Sequence, residues 1–429
     1  MPHRAWVLVL TLAGVTAATG QTVGQPVTRA ANIEAFEKVW TTVRDKHWDP
    51  KLGGLDWQAV HDELRPKVET AKSDDAVREI LNDMVGRLKQ THFGIFPGAV
   101  YHDLDASPDT GEANPGIDLR VLEGHAIVTE VGLGSPAAAK GVKPGWEILR
   151  IGKADVPPVM ARIQEEFKGS TLLDIRLQRS VLSRLKGHLG STVAVEFLDG
   201  GDKKVSLDLQ RAAPRGKMVG FGNMPASPVW SEWRRLPQDV GYVRFNIFLD
   251  PEGLAKTMED AIKACQDCRG FVLDLRGNPG GIGGLAMGVA GWFTSQSGLV
   301  LGTEYLRGLT VKFAVFPRTA PFRGPLAVLV DGCSASTSEI LAGGLKDIQR
   351  ARLFGTRTAA AALPSVIERL PNGDGFQYAI ANYVSQGGQP LEGIGAIPDE
   401  EVRVTRGQLL QGKDPALDAA VQWIGKQKP

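Results

Sequence analysis

Three hydroxyls crowd one short stretch of this chain. Ser334, Ser336 and Ser338 follow the apolar run Leu326–Val330 and the turn pair Asp331–Gly332, and precede a segment with apolar side chains at Leu341 and Leu345. That order predicts a buried strand, a tight turn and a helix. Free backbone donors and the positive end of the dipole gather at a helix start, where they favour the anion that forms on a carbonyl oxygen during acyl transfer. A serine there is a candidate nucleophile, although serine is also an ordinary turn and cap residue and the G-x-S-x-G elbow is missing.

A second stretch could complete such a site. Asp274-Leu-Arg-Gly-Asn-Pro-Gly-Gly281 follows the predicted strand Phe271–Leu275. Paired glycines let the backbone turn an amide hydrogen towards a ligand. Gly280 or Gly281 could then supply one oxyanion donor and the amide of Thr337 or Ser336 the other, each worth about 3 kcal/mol in the transition state.

The whole chain must hold these turns in place. It has 429 residues, with 49 Lys and Arg against 48 Asp and Glu. The length implies more than one core, and the charge balance provides no field to draw nucleic acid. Met1-Pro-His-Arg4, the apolar run Ala5–Val15 and the small residues up to Gly20 describe an export signal over residues 1–20 rather than a stable membrane span. No other stretch is long enough to cross a bilayer. Cys265 and Cys268 could be bridged in an export setting, Cys333 is left over, and the histidines lack ligand spacing, so neither metal nor cofactor is expected.

Helical periodicity at Phe36, Trp40 and Val43, and again from Ser73 to Leu88, defines an N-terminal helical unit over residues 28–100 that ends on Thr91-His92. A Gly-, Asp- and Pro-rich linker leads to a β-rich module, residues 108–213, which the helix-like, basic stretch Val159–Leu189 is expected to interrupt. From Pro214 strands and helices alternate to the end, over residues 214–429, which argues for a layered α/β domain.

Within the β-rich module, Gly134-Ser-Pro-Ala-Ala-Ala-Lys-Gly-Val-Lys-Pro-Gly145 resembles a PDZ domain, with Trp146 where aspartate is usual. That resemblance implies a groove that adds a chain end as a strand, with Gly116 and Ile117 near the bound carboxylate. Leu273–Gly281, Gly332–Ala342 and Glu392-Gly-Ile-Gly-Ala-Ile-Pro-Asp399 together resemble the S41 peptidases, which include C-terminal processing and tricorn-type enzymes. The resemblance implies a ClpP/crotonase-like core, Ser336 as nucleophile and protein or peptide substrates. The lysine of the processing proteases is replaced by Ala361, which excludes a Ser-Lys dyad at that position. Thr91, His92 and Glu392 match the tricorn-type alternative, with His92 as general base. The resulting expectation is an exported, periplasmic or secreted serine peptidase of undetermined oligomeric state. Its rival is a non-catalytic peptide- or ligand-binding protein on the same frame.

Overall fold

The computed structural model describes residues 28–98 and 111–427. The expected export signal and most of the linker lie outside the described residues.

Helices α1 (Arg29–Lys46), α2 (Trp57–Thr70) and α3 (Asp74–Gly86) begin at Thr28, Asp56 and Ser73, whose side-chain oxygens each accept the N–H three residues on. Their apolar stripes meet in one cluster that includes Phe36, Leu64 and Leu81. The unit does not close on itself. Strand β1 (Gly94–Phe96) follows α3, and its partner comes from the far end of the chain, placing Phe376 and Tyr378 in the helical core. The Asn82 side chain clamps β1 by accepting from Ile95 N at 2.9 Å and donating to Ile95 O at 3.2 Å.

The next module is an antiparallel sheet in the order β2-β3-β4-β6-β7, formed by β2 (Ile117–Leu122), β3 (His125–Val131), β4 (Glu147–Ile151), β6 (Thr192–Leu198) and β7 (Lys204–Gln210). A short β5 (Ala154–Asp155) pairs with β4. The helical stretch expected to interrupt this module completes it. After the one-turn α4 (Pro136–Ala139), α5 (Val156–Glu166) and α6 (Leu173–Leu185) bury Met160, Leu177, Val181 and Leu185 against Leu119, Val128 and Phe197. β2 is an edge strand, and α6 lies beside it, tied by Gln178 Nε2 to Leu119 O at 3.2 Å.

The hairpin of β8 (Lys217–Phe221) and β9 (Met224–Val229) leads into the α/β core. That core is a six-stranded sheet of β10 (Ser231–Leu236), β11 (Val240–Phe245), β12 (Gly270–Asp274), β15 (Leu326–Val330), β16 (Arg352–Gly355) and β20 (Glu400–Glu401), in that spatial order. Only the β10–β11 pair is antiparallel. Helices α7 (Pro251–Ala264), α8 (Gly284–Gly291) and α9 (Thr337–Asp347) cover one face, while Ala420 and Ile424 from the C-terminal helix Pro415–Lys426 cover the other. Burial on both faces explains the unbroken apolar run of β15 and the apolar Phe271–Leu273 of β12. A third sheet contains β13 (Val300–Leu306), β14 (Leu309–Ala314) and β19 (Ala381–Ser385), and β17 (Ser365–Arg369) and β18 (Gly375–Ala379) complete the sheet with β1.

Cys265 and Cys268 form a disulfide and Cys333 is free and buried. Among the described residues no helix is long and apolar enough to cross a membrane.

Candidate active site

The three serines have different fates. Ser334 Oγ donates to Leu275 O at 2.8 Å and Ser338 Oγ to Asn278 O at 2.9 Å, and both residues are fully buried. These two hydroxyls stitch the serine turn to the Asp274–Gly281 turn. Ser336 is half-buried, its hydroxyl donates to no group among the described residues, and it lines a cleft of about 1760 Å³. Its backbone is held at φ 54°, ψ −117°, a region an L-residue occupies only when its surroundings impose it.

The restraint comes from a residue to which sequence reasoning gave no role. Glu339 is fully buried and accepts four hydrogen bonds: from Ser336 N and Ala361 N at 2.9 Å, Ala360 N at 2.8 Å and Thr358 Oγ1 at 2.6 Å. Ser336 N also donates to Ala361 O at 2.8 Å. The signal was present, because Ser336-x-x-Glu339 has the spacing of a capping box.

Burial pushes the Glu339 carboxyl up to about 7 even though those four donors oppose the shift. Burial likewise pulls His92 down to about 4, so the imidazole is unprotonated throughout the neutral range. The two groups shift stability in opposite directions. The Glu339 contribution is complete below its ordinary 4.5 and lost as pH rises through 7; that of His92 is present above 6.5 and lost as pH falls through 4. Because the four donors need the carboxylate, hydrolysis should lose activity below about pH 7 rather than near 4. A kcat/KM–pH profile measures this, and an acid limb near 4 would assign the turn's geometry to something other than ionised Glu339.

His92 stands between α3 and β1 at φ 60° and lines the same cleft as Ser336. Thr91 Oγ1 lies 2.7 Å from His92 Nδ1 and donates to Glu392 Oε2 at 2.9 Å. Glu392 also accepts from Thr91 N at 2.9 Å and Ala362 N at 3.1 Å, and burial raises its pKa against those bonds. Thr91 has one hydroxyl proton. With that proton on the carboxylate, Thr91 oxygen accepts from His92 Nδ1–H, which leaves Nε2 as the free base. The imidazole and the serine make no direct hydrogen bond. They are placed by adjacent residues of one segment, since Ala361 O receives Ser336 N–H and Ala362 N–H holds Glu392.

The glycine turn presses directly on the serine. A Cβ on Gly280 would lie 2.7 Å from Ser336 Cβ and 2.8 Å from Thr337 N, so no side chain fits. Gly280 N is already used, donating to Asn278 Oδ1 at 3.0 Å, as is Ser336 N. Gly281 N and Thr337 N have no acceptor among the described residues. Asn278, fully buried, also donates to Phe245 O at 2.9 Å and fixes this turn to β11.

Where a lysine would stand in the processing proteases, the Ala361 side chain packs with Ile175, Cys333, Ala335 and Ala359 in a small apolar cluster. Cys333 is buried and its pKa is raised by that burial, so it is a packing thiol. Gly116 N donates to Asn114 Oδ1 at 2.9 Å. The bond from Gly132 N to Gly116 O makes these a bonded pair, so by alternation the N–H and C=O of Ile117 point off the sheet edge towards the cleft. The next outward acceptor, Leu119 O, is taken by Gln178 and by Arg120 Nη1 at 2.7 Å. Arg120 Nε reaches Asp331 at 2.7 Å, and Asp331 in turn accepts from Gly277 N and Cys333 N at 2.9 Å. The β2 edge is therefore wired to both turns of the site.

An α/β core that presents an accessible serine at a helix tip is the arrangement a serine peptidase needs. Residues 239–402 match peptidase family S41 and residues 29–86 match the tricorn protease C1 domain. It is 26% identical over 405 residues to carboxyl-terminal-processing peptidase 3, chloroplastic, of Arabidopsis thaliana, covering 90% of this chain and 72% of that one. With the carboxyl-terminal-processing protease of Picosynechococcus the identity is 27% over 374 residues, covering 85% and 82%. The fold is shared with the photosystem II D1 C-terminal processing protease, at a TM-score of 0.58 and 21% identity over 92% of this chain and 98% of that structure.

Proposed function

We propose that this is an exported peptidase in which Ser336 attacks the scissile carbonyl and His92 Nε2 takes the serine proton and returns it to the leaving amine. Thr91 and Glu392 act through His92 as positioning residues, fixing its tautomer. Gly281 N and Thr337 N are the oxyanion donors, because the competing amides of Gly280 and Ser336 are already bonded. The observation that carries this reading is the continuous path Ser336–Ala361–Ala362–Glu392–Thr91–His92, which joins nucleophile and base through one backbone segment.

The module around β2 and α6 takes a PDZ-like role in this reading. Ile117 offers one residue's worth of open strand edge beside the Gly116 turn, suited to the last residue of an unfolded protein substrate. Reaction with a fluorophosphonate probe tests the chemistry. The full chain should be labelled at Ser336 and lose labelling in Ser336→Ala, with labelling slowed about 100-fold or more in His92→Ala. Labelling of both variants at the normal rate would overturn the assignment. Export is checked by sequencing the N-terminus of the mature protein, expected just after Gly20.

A further inference from the structure

We propose that His47 is a positioning residue for the general base, an inference that rests on the role given to His92 above and extends the site to the end of helix α1. Residues 87–93 carry that base between α3 and β1 and belong to neither helix nor strand. Within them Lys89 and His92 take left-handed backbone angles, at φ 53° and 60°, which such residues hold only when their surroundings impose it. Glu392 secures Thr91 through its N–H and its hydroxyl, each at 2.9 Å. The residues on either side of the Thr91–His92 pair are held by His47.

His47 follows directly on α1 and is only 1% exposed. It ends the helix through its backbone N–H, which donates to Val43 O, so the ring is not needed as a cap. Instead Nδ1 lies 3.0 Å from Asp49 N and 2.9 Å from Asp49 O, and Nε2 lies 3.0 Å from Gln90 Oε1, 43 residues further on. Gln90 Oε1 can only accept, which places the ring proton on Nε2 and leaves Nδ1 to accept the Asp49 N–H. Asp49 is fixed in turn, its carboxylate accepting from Lys51 N at 2.9 Å and Gly53 N at 2.8 Å. The same imidazole stacks on Phe93, with ring centroids 5.8 Å apart and planes 18° from parallel. One rigid, buried ring therefore grips residues 90 and 93, and the pair that carries the base lies between its two contacts. Proton transfer from Ser336 depends on where His92 Nε2 stands, and a displacement of about 1 Å costs about 100-fold in rate.

The test follows fluorophosphonate labelling of Ser336 in the full chain, resolved into a maximal rate and a half-saturating probe concentration. His47→Leu and Gln90→Leu should each lower the maximal rate about 10-fold or more and leave half-saturation unchanged. The double variant should be no slower than the slower single one, because both changes remove the same contact. His47→Gln, whose amide nitrogen can stand where Nε2 stood, should keep most of the rate. In a His92→Ala background, His47→Leu should slow labelling no further. Gln90 is partly exposed and its replacement leaves the stack on Phe93 in place, so that variant reports even if His47→Leu fails to fold. A normal rate in Gln90→Leu, a double variant slowed by the product of the two single effects, or an undiminished His47→Leu effect without His92 would each overturn the proposal. His92→Ala separates it from the reading beneath: slow labelling there with normal His47→Leu and Gln90→Leu removes the brace alone, while normal labelling in His92→Ala removes the base and the brace together.

Discussion

Ser336→Ala should reduce kcat/KM for an unfolded protein substrate by about 10⁴-fold or more, whereas Ser334→Ala and Ser338→Ala should remain active and lose stability instead. The three hydroxyls lie within five residues, yet only that of Ser336 is uncommitted and reachable from the cleft. Removing either hydroxyl deletes a buried hydrogen bond, at a cost of about 0.5–1.5 kcal/mol, although Leu275 O keeps Asn278 N and Asn278 O keeps Ala335 N. Ser334→Ala also strands Asp331 N–H, which donates to Ser334 Oγ at 3.0 Å. Urea denaturation together with steady-state kinetics on all three variants makes the comparison. If Ser334→Ala or Ser338→Ala abolished turnover in a fully folded protein while Ser336→Ala kept it, the nucleophile would have been misassigned.

Glu392→Gln should reduce kcat by about 10²–10⁴-fold with KM little changed. The carboxylate receives three donors, Thr91 N, Thr91 Oγ1 and Ala362 N. An amide must aim its NH₂ at one of these positions. On the Oε1 side it opposes Thr91 N–H. On the Oε2 side it opposes Ala362 N–H and turns the threonine proton towards His92 Nδ1, moving the imidazole proton to Nε2, where it blocks base catalysis. Thr91→Ser keeps the relay and should stay within a few-fold of the unaltered enzyme, while Thr91→Val breaks it. The pattern is read from kcat and KM separately. An active Glu392→Gln enzyme would mean that His92 needs no orienting carboxylate.

Much of the core was legible because its signals are local. The run Leu326–Val330 coincides with β15 residue for residue, since burial on both faces favours apolar side chains along the whole strand. Helix α6 was harder to place. Arg176, Arg179 and Arg184 dominate its composition and mask the stripe Leu177, Val181 and Leu185, so a structural helix read as an intrusion. Helix α2 went unrecognised although Trp57, Val60, Leu64 and Val68 follow the helical period; Pro66 and the dense charge obscured it. The serine, histidine and glutamate of the site were nameable from motif resemblance. What local pattern could not supply was which amides were already used. That Gly280 N serves Asn278 while Gly281 N has no acceptor among the described residues is a property of the assembled structure alone.

The pairing of β1 with β18 has a consequence for when the enzyme becomes dangerous. Gly94 is registered opposite Gln377, and the carboxylate that orients the histidine lies further on at residue 392. A chain still leaving the ribosome, or one cut short before that point, already contains its nucleophilic helix but has no seat for its base. Under the proposed mechanism, proteolytic competence should therefore arrive only with the last stretch of synthesis and the slow closure of a very long loop. On that mechanism, a product truncated before residue 392 would carry the serine turn without the carboxylate that orients its base.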